Sequence, residues 1–173
     1  MRLSIAILAA VLASHPLMAA ESWGLPNEEA ATFSAKVVDM QCALTGDCPK
    51  DCGDGRRQLG FLTGDGKLIL AMKNADPFAG ASRDLLPFCG QTVTADGLFA
   101  TNEGVRVFAL QRIKPAKGQW IAANGFVRAW AKTNKVAADG EQAAEWFRHD
   151  PTVAALIAIG GKLGLGPDAP PKE

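Results

Sequence analysis

Between residues 32 and 113 apolar and polar positions alternate in short runs, the two-residue period of half-buried strands. Thr32–Met40 carries Phe33, Val37 and Val38 among β-branched neighbours. Leu59–Thr63 is a second run and Lys67–Met72 a third. Asp65-Gly66 lies between them as a hairpin signal, because both residue types tolerate the positive φ of a type I′ turn. Asp76-Pro77 opens a short helix to about Leu86, with the aspartate as cap and the proline at the first helical position. Gln91–Phe99 and Gly104–Ile113 complete the pattern. In the latter, Val105, Val107, Ala109 and Gln111 alternate with Arg106, Phe108 and Leu110.

Three strands, a short helix and two strands are the element order of an OB-fold. The predicted fold is therefore mainly β: an OB-like five-stranded barrel over residues 32–114, with a short helix between strands 3 and 4. Closure hides the sheet edges of so many short strands. Residues 21–31 read as a loose lead-in. After Ile113 the period changes. Lys114–Gly118 is a turn, and Gln119–Ala131 fits either strand or helix. Asp139 and Gln142 form a capping-box-like start to a helix through Arg148. Asp150-Pro151 opens another helix, stopped by Gly160-Gly161, with Val153, Leu156, Ile157 and Gly160 on one face. These segments predict a helical C-terminal appendage over 119–166 and a Gly/Pro-rich tail. No internal repeat is present.

The first twenty residues read as a secretory leader. Arg2 is followed by the apolar run Leu3–Leu12 and by small residues from Ser14 to Ala20. The run is too short to cross a bilayer core of roughly 30 Å, and cleavage is expected after Ala20. An uncleaved amphipathic anchor is the alternative. Lysine plus arginine and aspartate plus glutamate stand at 18 each, and loss of Arg2 leaves 17 basic against 18 acidic residues. Such neutrality argues against a nucleic-acid partner, which requires a basic stripe, and against an anionic membrane surface. The absence of tyrosine weakens most readings based on stacking a sugar or base. A soluble periplasmic protein is expected, with no membrane span after leader removal.

Cys42, Cys48, Cys52 and Cys89 are the candidate chemistry. In an oxidising compartment an even count suggests two disulfides, and four cysteines allow three connectivities. The alternative is a metal or redox site. Pro49 could start a helical turn that places Cys48 and Cys52 at i and i+4 on one face, clamping Cu(I) or Zn(II). Cys42 or Cys89 would then complete the shell, with Met40, Met72 or His149 as further ligands. The chain has no Cys-x-x-Cys, which speaks against c-type haem and a thioredoxin-type couple. Cupredoxin copper needs two histidines, and His149 alone follows the leader. Asp47, Asp51, Asp54, Arg56 and Arg57 surround the cysteines as loop residues.

The segments Lys36-Val37-Val38-Asp39-Met40-Gln41-Cys42, Cys48-Pro49-Lys50-Asp51-Cys52, Leu59-Gly60-Phe61-Leu62, Asp65-Gly66-Lys67-Leu68-Ile69-Leu70 and Val93-Thr94-Ala95-Asp96-Gly97 together resemble a group of poorly characterised exported bacterial OB-fold proteins. The resemblance spans Ala35 to Ile113 and implies a barrel in which the cysteines matter. Those relatives often carry a histidine before the second cysteine, where this chain has Asp47. The resulting expectation is a periplasmic, non-enzymatic binding or accessory module held by two disulfides, docking on a protein partner such as a redox or electron-transfer assembly. Two alternatives stand beside it: a copper or zinc carrier using the cysteines, and a thiol-disulfide redox protein.

Overall fold

The computed structural model describes residues 20–24, 26–73 and 81–161. The leader through residue 19, the Asp76-Pro77 helix start and the tail beyond residue 161 lie outside the described residues. Within them the chain forms a closed five-stranded barrel with one added strand and a group of C-terminal helices. The strands are β1 (Glu28–Asp39), β2 (Leu59–Thr63), β3 (Leu68–Met72), β4 (Thr92–Asn102) and β5 (Val105–Pro115), with the two-residue β6 (Ile121–Ala122) at the edge. β1 pairs antiparallel with both β2 and β4, and β4 pairs antiparallel with β5. The ring closes through a parallel contact of β3 with β5, Ala71 opposite Phe108 and Met72 opposite Ala109. The expected OB-like order, with helix α2 (Ala81–Leu85) between β3 and β4, is what the chain adopts.

Alternation works as the sequence implies. Val37, Leu59, Phe61, Ala95, Phe108, Leu110 and Ile113 point inward and are fully buried. Phe33 packs against Phe61, Phe99 and Phe108 at centroid distances of 5.6, 5.8 and 4.8 Å. Edge-to-face and offset pairs of this kind add stabilisation beyond area burial. At the end of the barrel where β4 turns into β5, the Arg106 guanidinium lies 3.7 Å from the Phe99 ring centroid and pairs with Glu29 at 2.8 Å. β4 carries a bulge at Asp96/Gly97. A Cβ on Gly97 would sit 2.1 Å from the Ala109 carbonyl oxygen, so only glycine allows β4 and β5 to approach there.

Several local expectations change. Glu28–Ala31 belongs to β1 rather than to a loose lead-in, because the long β4 supplies partners Ala100 to Gly97 that no local pattern reveals. The β2–β3 turn is not type I′. Gly66 has φ +83° whereas Asp65 does not have positive φ, and the loop closes through Gly66 N–H to the Thr63 carbonyl. Gln119–Ala131 splits into β6 and helix α3 (Gly125–Asn134). The Asp139/Gln142 box does not form. Gly140 is the N-cap without a side-chain bond, and the helix breaks at Glu145 into α4 (Glu141–Ala144) and α5 (Trp146–His149).

Helix α6 (Pro151–Gly160) starts as its sequence implies. Asp150 accepts from Thr152 N–H at 2.9 Å and Val153 N–H at 3.0 Å, and Pro151 occupies the first turn. The helices share a second core of Trp130, Ala131, Ala143 and Trp146, with Phe126 and Val153 against it. This core meets the barrel through Asp84 of α2. One carboxylate oxygen pairs with Lys73 at 3.0 Å, and the other accepts the Gly125 N–H at the start of α3 at 2.8 Å.

Candidate functional site

The four cysteines converge on the barrel end opposite Arg106, as two disulfides. Cys42 bonds to Cys48, and Cys52 bonds to Cys89, with Cα separations of 4.5 and 6.0 Å. Helix α1 (Met40–Thr45) delivers Cys42. Its N-cap is the buried Asp39, whose side chain accepts from Gln41 N–H at 2.9 Å and Cys42 N–H at 3.1 Å. The first bridge therefore folds the exposed loop Gly46–Cys48 back onto α1. The second ties the turn Lys50–Gly55 to the residue that follows the 3-10 turn Leu86–Phe88, just before β4.

That geometry replaces the helical clamp expected of Cys48 and Cys52. Asp51, Cys52, Gly53 and Asp54 all have positive φ, between 51° and 72°. The turn is left-handed, which only glycine adopts without steric penalty. The two sulfurs are not presented together but are drawn to different partners. Oxidised in pairs, none of the four is a thiolate able to ligate Cu(I) or Zn(II). Gly53 is required twice over. It has φ +72°, and a Cβ there would meet the Arg57 side chain at 2.3 Å.

The remaining candidates disperse. The Met40 thioether lies over Gly60 of β2, where it packs on the barrel wall. Met72 ends β3. His149 is exposed in the last turn of α5. Among the described residues no group of three or more His, Cys, Asp or Glu side chains is placed to hold a metal ion. Asp47 pairs with Arg57 at 2.8 Å, and this hydrogen bond is the main cause holding the guanidinium's pKa above its ordinary value. The charges of Asp47 and Asp39 act in the same direction, against burial. Asp51, Asp54 and Arg56 are exposed.

Two arrangements were not visible in the sequence. On the outer face of the barrel the buried Asp96 accepts from Arg112 Nε at 2.8 Å and from Thr32 Oγ1 at 2.6 Å, with Arg112 also 5.3 Å from the Trp120 ring centroid. On the appendage Trp130 Nε1 donates to Asp150 Oδ2 at 2.6 Å, tying α3 to the cap of α6. The caps from Val153 N–H and the indole, the first being the larger cause, lower the Asp150 pKa below the usual carboxylate value.

Helix α6 is the most apolar of the C-terminal helices. Its sequence PTVAALIAIG contains no charged residue, and only Val153 packs on the appendage core. Its large aliphatic side chains are exposed. Leu156 is 63%, Ile157 44% and Ile159 75% exposed. No described helix is long and apolar enough to cross a membrane. No family model, curated protein or solved structure matches the chain.

Proposed function

We propose that this chain is an exported periplasmic binding module without chemistry of its own, in which a disulfide-closed OB-like barrel presents α6 to a larger protein partner. The observation that carries the reading is the bare apolar circumference of α6. A helix apolar on all sides is stable in water only when something surrounds it. Burying each large aliphatic side chain contributes about 1.5–3 kcal/mol, so enclosing Leu156, Ile157 and Ile159 would drive association strongly. An occupant that wraps the helix, such as an apolar groove on a protein, fits this circumference better than a flat face.

The rest of the chain suits that role. The pair Lys73–Asp84, with side chains 8% and 6% exposed, fixes the appendage to the barrel, so α6 is held at a defined place. Two disulfides belong to an oxidising compartment, which agrees with the leader-like pattern of Arg2, Leu3–Leu12 and Ala20. A redox or electron-transfer assembly of the periplasm is the partner class we favour.

A photo-crosslinking residue at position 156, compared with one at the exposed Arg128 on α3, tests the proposal in cells that export the protein. A single discrete adduct at 156, absent at 128 and lost on adding Ile157→Asp, is expected. Adducts of equal intensity at both positions, or none at 156, would overturn it.

A further inference from the structure

We infer that the cleft between α2, α3 and the start of α6 binds a small zwitterion, an α-amino acid with an apolar side chain. The cleft is an open groove of about 420 Å³ lined by Arg83, Phe126, Trp130, Asn134, Asp150 and Thr152 among others. That volume falls within the range of small-molecule sites. Its walls carry one cation and one carboxylate, and the two do not pair with each other. Among the described residues Arg83 makes no ion pair. Its guanidinium rests 5.3 Å from the Phe126 ring centroid, leaving its N–H donors for a ligand carboxylate.

Asp150 is held in place by its own hydrogen bonds and keeps its charge at the cleft. Oδ1 accepts from Thr152 and Val153 N–H, and Oδ2 accepts the Trp130 indole N–H. The Thr152 side chain bonds the same carboxylate, so an ammonium would be drawn by its negative charge and not by a vacant acceptor position. Asn134 donates its Nδ2 to the Trp130 carbonyl at 2.9 Å, which leaves its Oδ1 as a further acceptor. Phe126, Trp130 and Pro151 supply apolar wall for a side chain. A ligand with only a carboxylate would face Asp150 unpaired, and one with only an ammonium would face Arg83. An amino acid answers both charges.

The Trp130 indole N–H resonance reports directly on the cleft. Titration of the ¹⁵N-labelled protein with L-phenylalanine, phenylacetate and phenethylamine tests the inference. Saturable shifts are expected, with L-phenylalanine binding at least about tenfold tighter than either single-charge analogue, the worth of one charge-assisted hydrogen bond. Arg83→Gln should abolish its advantage over phenethylamine. Asp150→Asn, which keeps a capping oxygen, should abolish its advantage over phenylacetate. Equal affinity for all three ligands, or no saturable shift up to about 20 mM L-phenylalanine, would overturn the inference.

Discussion

Asp84 shows how much one side chain carries here. Both of its oxygens are committed, one to the Lys73 ammonium and one to the Gly125 amide. Replacing it by alanine strands a buried lysine, which costs about 3–5 kcal/mol, and frees the start of α3. Urea unfolding of Asp84→Ala should show that loss, and the double change Lys73→Met/Asp84→Leu should recover much of it. A single change that is silent would contradict the ion pair. Nothing around Asp84 in the sequence marks it, because Lys73 and Gly125 reach it only after the barrel closes. The cysteines are the opposite case. Their importance is plain from the sequence, but their pairing depends on where β4 begins and on the left-handed turn around Cys52. The loop-entropy estimate for spans of 37 and 6 residues is about 4 kcal/mol for Cys52–Cys89 and about 2 kcal/mol for Cys42–Cys48. Paired alanine variants should rank in that order by chemical denaturation. Under limiting reductant the exposed Cys48 should be alkylated before the buried Cys52. The reverse order would contradict the burial of the second bridge.

Helix α6 is the element whose limits were most legible, since Asp150-Pro151 and Gly160-Gly161 mark both ends by backbone chemistry alone. Its environment was not legible. The sequence placed Val153, Leu156, Ile157 and Gly160 on one face but did not reveal that Val153 alone would reach the appendage core while Leu156 and Ile157 stay exposed. Elements whose limits rest on distant partners were misplaced, as with the start of β1, and so were caps judged from residue type, as with Asp139. The N-terminus of α6 should respond to acid. The Asp150 pKa is lowered in the folded chain, so its contribution is present above the unfolded value near 3.9 and is lost as pH falls through the lower folded value. The Trp130 indole resonance should therefore titrate below the ordinary aspartate range, and Asp150→Asn should remove that transition. A midpoint above the ordinary aspartate value would contradict the cap.

For the whole molecule, the order of strands and helix was legible because each strand alternates and each connection carries its own turn residues. Closure was less so. The parallel contact of β3 with β5 joins residues far apart in sequence, and alternation says nothing of which strand lies beside which. The proposed module is a barrel exported to an oxidising compartment and sealed at one end by two disulfides, from which α6 is displayed. Non-reducing peptide mapping by mass spectrometry, on protein alkylated as it leaves the periplasm, tests that claim most directly. A chain beginning at Glu21, unalkylated, with peptides joined Cys42–Cys48 and Cys52–Cys89, is the expected result. A chain that still begins at Met1, an alkylated cysteine among the four, or a different pairing would contradict it.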